Sequence, residues 1–222
     1  MAYQLPPQHV FPPVHLADPD GVLAVGGDLD PDRVALAYRS GIFPWPSGRW
    51  LLWHAPPKRM VLMPGDANIS RSMRKVIASG RFELRINTSF AEVIRSCSKV
   101  PREGQPGTWI SPKVRATYTT LHERGMAHCF ETWRDGNLVG GLYGIASGRV
   151  FCGESMFHTE SDASKFAFFE MQRHLFERGF SLIDCQVHTA HLASLGAKEI
   201  SRSAFMKILR DGQDGTAPRV VD

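Results

Sequence analysis

The segment 127–157 limits the fold more than any other, because its apolar residues recur with a period of two. Tight turns at Asp135-Gly136 and at Gly148 divide the segment into three parts. Apolar residues that alternate with polar ones between such turns are typical of paired strands. The sequence therefore predicts an antiparallel meander of three strands.

The elements after the meander indicate the fold class. A strongly apolar helix is predicted over 163–178, then a strand over 181–188, a short helix that ends before Gly196 and a strand-like piece at Ile200. The resulting order, β-β-β-α-β-α-β, predicts an α/β (α+β) domain whose sheet has mixed strand directions. The tail after Gly212 offers little to pack and is expected to be loose.

The strand at 181–188 carries the residues in which we expect the chemistry. Alternation places Ile183, Cys185 and Val187 on one face of this strand, which is apolar. The opposite face is polar and carries Asp184, Gln186 and His188. Asp184 and Gln186 would lie roughly 6.5 Å apart along a strand. In the interior they need partners, because an unpaired buried polar group costs about 1–3 kcal/mol. They are either reactive groups in a cleft or a satisfied polar pair at a strand end.

The first part of the chain differs in composition. Up to Pro64 it is rich in proline, glycine and tryptophan, with one helix capped by Asp30 and started by Pro31. From residue 69 helix and strand signals follow regularly, so we predict a small N-terminal domain over 1–64 and a catalytic domain over 65–222. Trp45 and Trp53 either pack the core of the small domain, which is the favoured interpretation, or line an apolar pocket.

The first helix of the second domain is basic. Ser70 caps it, and it carries Arg71, Arg74 and Lys75, with Arg81 and Arg85 shortly after. Such a cluster is usually a solvated face, but it is also the best local candidate for contacts to phosphates. A proline- and glycine-rich loop over 101–107 precedes Trp109, a large aromatic residue that either lines a site or packs in the core.

Composition sets outer limits on function. The chain has 222 residues, of which 43% are hydrophobic, and a formal charge of +4, which permits an anionic partner such as RNA without requiring one. Its four cysteines are far apart and form no CxxC pair, so we expect buried, reduced thiols and a cytoplasmic protein. No stretch reaches about 18 uninterrupted apolar residues, so no membrane span is predicted.

Several common chemistries lack their sequence signals. The glycines before Asp28 match neither nucleotide-binding motif, and the segment around Glu154 does not match GxSxG. His188 and His191 lack the glutamate of HExxH and a cysteine pair, so they are interpreted as structural or partner-contacting residues. The sequence predicts no metal and no cofactor.

Eight segments, in this order, are similar to the bacterial leucyl/phenylalanyl-tRNA protein transferases. They are residues 21–28 (GVLAVGGD), 39–45 (RSGIFPW), 107–110 (GTWI), 138–144 (LVGGLYG), 151–157 (FCGESMF), 163–165 (ASK), 182–186 (LIDCQ) and 194–197 (SLGA). The resemblance runs from about residue 11 to 205. It implies a small N-terminal domain followed by a domain similar to the GCN5-related acetyltransferases.

The resemblance also implies a reaction. The family moves Leu or Phe, and less readily Met, from aminoacyl-tRNA to the α-amine of a protein that begins with Lys or Arg, which marks that protein for degradation. It further implies that Trp109, Tyr118, Leu142 and Phe151 contribute to the aminoacyl region, with Trp53 near its edge. This chain departs from the family pattern at 54–56 (HAP) and 188–191 (HTAH) and in its short tail.

The reaction makes modest chemical demands. An aminoacyl ester is already activated, so the enzyme has chiefly to orient two substrates. An α-amine has a pKa near 8 and needs only a modest base, for which Asp184 is the candidate. A carboxamide is too weak a base, so Gln186 is expected to position the amine or the ester carbonyl. Glu154 would either complete this network or meet the cationic side chain of the acceptor.

Two rival functions remain open on the sequence. A CoA-dependent N-acetyltransferase shares the implied fold, but residues 156–164 contain no glycine to hold a pyrophosphate. A non-catalytic RNA-binding adaptor would explain the basic helix without Asp184 and Gln186. We therefore rank both below the aminoacyl transfer.

Overall fold

Two β-sheets organise the computed structural model of the protein, which describes residues 2–47, 50–101, 108–214 and 216–221. Within these residues the first sheet has four strands in the order β1-β2-β4-β3. The strands are β1 (Tyr3–Leu5), β2 (Val22–Gly26), β3 (Phe43–Ser47) and β4 (Trp50–His54). The helix α1 (Pro31–Arg39) connects β2 to β3, and the side chain of Asp30 caps it as predicted by accepting from Asp32 N at 2.8 Å.

The second sheet has seven strands among the described residues, in the order β11-β5-β10-β9-β8-β7-β6. They are β5 (Lys58–Leu62), β6 (Glu83–Ile86), β7 (Ala127–Arg134), β8 (Asn137–Ser147), β9 (Val150–His158), β10 (Leu182–Gln186) and β11 (Lys198–Ser201). The meander β7-β8-β9 is antiparallel, whereas β9 and β10 are parallel. The predicted α/β class with a mixed sheet is confirmed.

Helices cover both faces of the large sheet. They are α2 (Arg71–Ala78), α3 (Phe90–Cys97), α4 (Pro112–Glu123), α5 (Ala163–Glu177), α6 (Ala190–Ser194) and α7 (Arg202–Asp211). One apolar core lies between the sheet, α3, α4 and the N-terminal sheet, and a second lies between the sheet, α2 and α5. No helix in the described part of the chain has the length and apolar character that crossing a membrane requires.

The large sheet begins earlier in the chain than the predicted boundary. Strand β5 falls within the predicted small domain of residues 1–64, yet it pairs with β10 and β11. The chain therefore passes from one sheet to the other between His54 and Lys58, although the division into domains itself stays a prediction. The predicted loop at 101–107 lies, except for Pro101, outside the described residues.

The C-terminal tail is anchored, contrary to the expected looseness. Val220 is buried in the core beside α5, and its carbonyl oxygen accepts from His174 Nε2 at 2.6 Å and from Arg178 Nε at 3.2 Å. Gln213 also donates to the carbonyl oxygen of Arg39 at 2.8 Å. The prediction was wrong because two apolar valines at the end of a polar tail carry too little periodicity to indicate a buried anchor.

A fully buried carboxylate joins β7 to the start of α3. Glu131 accepts from the backbone N–H groups of Thr88 and Ser89 at 2.7 and 2.8 Å, from the Thr88 hydroxyl and from Trp133 Nε1 at 2.8 Å. Burial would raise the pKa of Glu131, but these hydrogen bonds outweigh it and lower the pKa. The ionised carboxylate thus ties the sheet to the loop that begins α3.

We expect Glu131→Gln to lower the free energy of unfolding by about 2–3 kcal/mol, because its amide would face donors that need an acceptor. Urea unfolding at pH 7 measures this change. Glu123→Gln, at an exposed position of α4, is the matched control and is expected to have little effect. Equal stability of the two variants would show that the Glu131 carboxylate does not hold this junction.

Candidate active site

A cavity opens where two parallel strands of the large sheet separate. β9 and β10 pair from Val150–Leu182 to Cys152–Asp184, and no pair is formed beyond that point. The cavity, of about 620 Å³, lies there, between Gly153–Met156 on one side and Cys185–Val187 on the other. In open α/β sheets, ligands bind beyond the carboxyl ends of the strands, at such an opening. The cavity is therefore the candidate active site.

The deep part of the cavity is apolar. Its wall contains side chains from β8, β9, α5 and β10, namely Leu142, Met156, Phe168, Met171, Ile183 and Cys185. Thioether and aliphatic groups adapt to ligands of different shape. This lobe can therefore take a branched or an aromatic apolar side chain.

Aromatic residues from outside the large sheet form the mouth. Phe43, Pro44 and Trp45 of β3 lie on one side, and Trp109, which precedes α4, also lines the cavity. Phe43 stacks on His54, with ring centroids 5.7 Å apart and an interplanar angle of 20°. The cavity thus has walls from both sheets.

Glu154 is the carboxylate that faces this cavity. A shift in the pairing of β8 and β9 between Tyr143 and Gly144 leaves Glu154 without an opposite residue on β8. Its Oε1 accepts from Gln186 Nε2 at 3.1 Å, and its Oε2 accepts from the Tyr118 hydroxyl at 3.2 Å. The Tyr118 hydroxyl also contacts the hydroxyl of Tyr38 on α1. A chain of hydrogen bonds therefore connects the N-terminal region to β10.

Burial raises the pKa of Glu154 to about 7. Hydrogen bonds from Tyr38 and Tyr118 and the charge of Arg59 act in the opposite direction, whereas the charge of Asp184 adds to the increase. A group with such a pKa exchanges its proton near neutral pH. Glu154 is therefore a group at the cavity that can act as an acid or a base under ordinary conditions.

Gln186 reaches Glu154 because the backbone turns at that residue. Its φ is +58°, in the left-handed region, and the pairing with β5 is irregular between Asp184 and Gln186. A non-glycine residue in this region costs about 1–3 kcal/mol. The bond from Gln186 N to Asp184 Oδ1, at 2.9 Å, holds the turn. The turn ends the alternation, so Val187 packs with the opposite core from Ile183 and Cys185, contrary to the predicted shared face.

Asp184 does not line the cavity. It is fully buried, and its Oδ1 and Oδ2 accept from Arg59 Nε at 2.8 Å and Arg59 Nη2 at 2.6 Å. Burial would lower the pKa of Arg59, but the charge and hydrogen bonds of Asp184 outweigh it and raise the pKa. Both oxygens of Asp184 are thus engaged behind the site. This position differs from the one expected of a base, because the side chain of Asp184 is bonded to Arg59 and is not part of the cavity wall.

The other predicted residues divide into three groups. Trp109, Leu142, Glu154 and Gln186 line the cavity. Tyr118 lies behind Glu154, and two aromatic residues pack elsewhere. Phe151 is fully buried against Phe130, and Trp53 is fully buried with its indole N–H donating to the Gly26 carbonyl at 2.9 Å. For Phe151 and Trp53 the interpretation as core residues fits the structure.

Sequence reasoning missed several residues that shape the site. The favoured interpretation of Trp45 is a core residue, but Trp45 lines the cavity. Tyr38 and Arg59 reach the network from distant parts of the chain, and no local pattern marks them. Only the position of Tyr38 on the apolar side of α1 and the location of Arg59 within an apolar strand hint that they are buried.

The basic cluster lies on the exposed face of α2, whose residues do not line the cavity. Arg71, Arg74 and Lys75 are exposed on α2 and take part in no ion pair with other described residues. Arg74 Nε donates to the carbonyl oxygen of Ile69 at 3.0 Å. By contrast, Arg81 pairs with Glu160 and Arg85 pairs with Glu83. The charges of the cluster on α2 are therefore free to meet an anion.

The segment before α2 touches the short helix at the cavity. Asn68 N donates to the carbonyl oxygen of Leu195 at 2.9 Å, directly after α6, and His191 and Leu192 of α6 line the cavity.

His191 and His188 are exposed. The described residues contain no group of three or more histidine, cysteine or acidic side chains that could hold a metal ion.

Comparisons with known proteins give a consistent picture. The family model described as leucyl/phenylalanyl-tRNA protein transferase matches residues 61–210, and the model of the N-terminal domain of that family matches residues 27–57. The leucyl/phenylalanyl-tRNA--protein transferase of Chromobacterium violaceum is 52% identical over 210 residues, which cover 93% of this chain and 90% of that protein.

Comparison with solved structures gives more distant matches. The crystal structure of FemX has a TM-score of 0.50 at 14% identity and covers 66% of this chain and 60% of its own. A GCN5-related N-acetyltransferase from Kribbella flavida has a TM-score of 0.40 at 14% identity and covers 74% of this chain and 60% of its own.

The hydrogen bond from Tyr118 can be tested directly. Because the Tyr118 hydroxyl stabilises the ionised form of Glu154, we expect Tyr118→Phe to raise the pKa of Glu154 above its value of about 7. Carbon-13 NMR of labelled glutamate carboxyl groups across a pH titration measures it, with the exposed Tyr3→Phe as the control. An unchanged titration would show that the Tyr118 hydroxyl does not act on Glu154.

Proposed function

Because this chain belongs to the leucyl/phenylalanyl-tRNA protein transferase family, and is thus an aminoacyl-tRNA-dependent transferase, we propose that it transfers Leu or Phe, and less readily Met, from charged tRNA to an acceptor protein. The acceptor begins with Lys or Arg, and the added residue marks it for degradation. The observation that carries the proposal is the cavity in which an apolar lobe meets Glu154 and Gln186.

The apolar lobe receives the side chain of the transferred residue. Its wall of methionine, leucine, isoleucine and phenylalanine side chains suits both Leu and Phe. One methylene more or less in such a pocket changes binding by only about 1–3 kcal/mol, so the selectivity among apolar residues is loose. A polar or charged side chain would lose its hydration there without gaining partners.

The transfer exchanges an ester for an amide. The α-amine of the acceptor attacks the ester carbonyl carbon, a C–N bond forms, and the bond from that carbon to the ribose oxygen breaks. Ionised Glu154 takes the proton that the amine loses, and this proton is returned to the departing ribose oxygen. The products are the extended protein and tRNA with a free ribose hydroxyl. Glu154 thus takes the role that the sequence suggested for Asp184.

Gln186 positions the reacting groups. Its amide nitrogen donates to Glu154 Oε1, and this bond leaves the carboxamide oxygen to accept from the α-amine. Asp184 holds the backbone N–H of Gln186 and contributes without meeting the substrate. Orientation of two bound substrates can supply about 7–11 kcal/mol, so binding and a modest base suffice for the rate.

Charged tRNA meets the protein on two features near the cavity. Trp45 and Trp109 at the mouth offer faces on which a terminal base can stack. Arg71, Arg74 and Lys75 contact phosphates beside the 3′ end, because their charges are exposed and unpaired within the described structure. A cytoplasmic location follows from a substrate that is charged there, and four buried cysteines outside any disulfide agree with reducing surroundings.

The rival functions are less well supported. The curated relatives with which this chain shares about half of its residues carry the name of an aminoacyl transferase. The cavity adds a base and an apolar lobe that a non-catalytic adaptor would not need. Incubation with leucyl-tRNA and a peptide that begins with Arg, followed by mass spectrometry, tests the proposal. No added leucine would reject it.

We expect Glu154→Gln to lower kcat about 10²–10⁴-fold, the usual contribution of a positioned base, and to leave KM for leucyl-tRNA nearly unchanged. In the wild-type protein kcat/KM should rise with pH through about 7, because only the ionised form of Glu154 accepts a proton. This rise should be absent from the pH profile of Glu154→Gln. The rise near pH 8, which comes from deprotonation of the α-amine of the acceptor, should remain.

Glu123→Gln, at an exposed position, is the control for that experiment and should behave as the wild type. A folded Glu154→Gln protein with the kcat and the pH profile of the wild type would remove Glu154 as the base. Substrate binding and the chemistry of the acceptor amine would then have to account for the rate.

We expect replacement of Arg71, Arg74 and Lys75 by Ala to weaken tRNA binding and to reduce its dependence on salt. Each lost phosphate contact should lower the slope of log K against log salt by about 0.7–0.9. Fluorescence anisotropy over a range of salt concentrations measures it. The control is Arg173→Ala with Lys207→Ala, since both residues are ion-paired within their own helices. An unchanged slope would place the tRNA elsewhere.

A further inference from the structure

The guanidinium of Arg59 has a fixed place behind the active site. It is 2% exposed, and besides its two bonds to Asp184 it donates from Nη1 to the carbonyl oxygen of Gly41 at 3.2 Å. Its planar group also lies near two aromatic rings, 4.7 Å from the centroid of Phe43 and 4.4 Å from that of Phe205. The guanidinium is therefore hydrogen-bonded along its edge and lies against aromatic rings, so the side chain of Arg59 has little conformational freedom.

This arrangement reaches the cavity through Asp184. The Oδ1 that accepts from Arg59 Nε also accepts from Gln186 N, at the residue whose φ is +58°. The side chain of Gln186 then donates to Glu154 Oε1. The bonds from Arg59 therefore fix the position of the Asp184 carboxylate, which in turn accepts from the backbone N–H at the left-handed turn. This turn places the side chain of Gln186 in the cavity.

Stability alone gives a weak reason for this ion pair. Removing two charges from water is expensive, so well-packed apolar residues in place of a buried pair are often equally stable or more so. The bidentate geometry does supply orientation, since it fixes the plane and the position of the carboxylate. Lysine has a single ammonium group and cannot reproduce it.

We propose that Arg59 is a positioning residue of the aminoacyl transfer, which acts by holding Asp184 and thereby directing Gln186 toward Glu154 and the substrate amine. This inference rests on the proposed function. Arg59 makes no contact with the reacting atoms, and its side chain does not line the cavity.

The electrostatics of Glu154 provide a readout that a purely structural role would not change. The titratable, charged and polar groups around Glu154 are Tyr38, Tyr118, Cys152, Asp184, Gln186 and Arg59. Among them Arg59 lowers the pKa of Glu154 and Asp184 raises it. Loss of the positive charge leaves the negative charge of Asp184 unbalanced, so the pKa of Glu154 should rise and the increase of kcat/KM with pH should move to higher pH.

The experiment measures kcat and KM against pH for wild type, Arg59→Lys and Arg59→Met, with leucyl-tRNA and a peptide that begins with Arg. We expect Arg59→Lys to lower kcat about tenfold to a hundredfold, as for a misplaced catalytic group, with KM for leucyl-tRNA within about twofold. In Arg59→Met the rise of kcat/KM with pH, which is near pH 7 in the wild type, should also move to higher pH.

Arg33→Lys is the matched control. Arg33 is equally buried, pairs with Asp28 at 3.0 Å and donates to the carbonyl oxygens of Pro6, Pro7 and Gln8, but neither Arg33 nor Asp28 lines the cavity. We expect this variant to lose stability while kcat per folded molecule and the pH profile stay those of the wild type. A control that loses kcat as Arg59→Lys does would overturn the inference.

Arg59→Met leaves a buried carboxylate unpaired and could fail to fold. The double variant Arg59→Met with Asp184→Leu removes both charges, and its kcat at high pH, where Glu154 is fully ionised, should equal that of Asp184→Leu alone, because Arg59 positions Gln186 only through Asp184. A further loss in the double variant would contradict this. Wild-type kcat and pH dependence in Arg59→Lys would overturn the inference and leave the proposed function intact, whereas an inactive wild type would reject both.

Discussion

The buried ion pair between Arg59 and Asp184 is the interaction on which the arrangement of the site depends. It joins β5 to β10 in the large sheet and, through the Gly41 carbonyl and the ring of Phe43, connects both strands to the N-terminal region. Desolvation consumes much of the attraction between two buried charges. The ion pair contributes chiefly by fixing geometry. The Arg59 guanidinium is hydrogen-bonded along its edge and flanked by two aromatic rings, so it permits one position of the Asp184 carboxylate.

Two glutamates in the large sheet illustrate how surroundings decide the behaviour of a carboxylate. Glu131 accepts from several N–H and hydroxyl donors, and these lower its pKa despite complete burial. Glu154 has fewer donors and a nearby negative charge at Asp184, so burial dominates and its pKa rises to about 7. The first carboxylate stays ionised and holds structure together. The second can exchange a proton at neutral pH, as a reactive group must.

The site is shared between the two sheets. The large sheet supplies the opening between β9 and β10 and the apolar lobe, whereas the N-terminal sheet supplies Phe43 and Trp45 at the mouth. Tyr38 of α1 reaches the network around Glu154 from the same side. The order of the mouth thus depends on contacts between parts of the chain that are distant in sequence. The small sheet is therefore part of the binding surface rather than an appendage.

The sequence by itself determined the elements, because periodicity and caps are local. The alternation over 127–157, the cap at Asp30 and the apolar helix at 163 all have their cause within a few neighbouring residues, and the structure contains each of them. Family-like segments also indicated Glu154, Gln186, Leu142 and Trp109, which line the cavity. Only the tertiary structure decided that Asp184 lies behind the site, that Trp45 rather than Trp53 faces the cavity, and that the tail is anchored. Arg59 and Asp184 are 125 residues apart, and Tyr118 and Glu154 are 36 apart. No local sequence pattern indicates such pairs, because the energy of each interaction depends on the distance between the two side chains and on their burial in the folded chain.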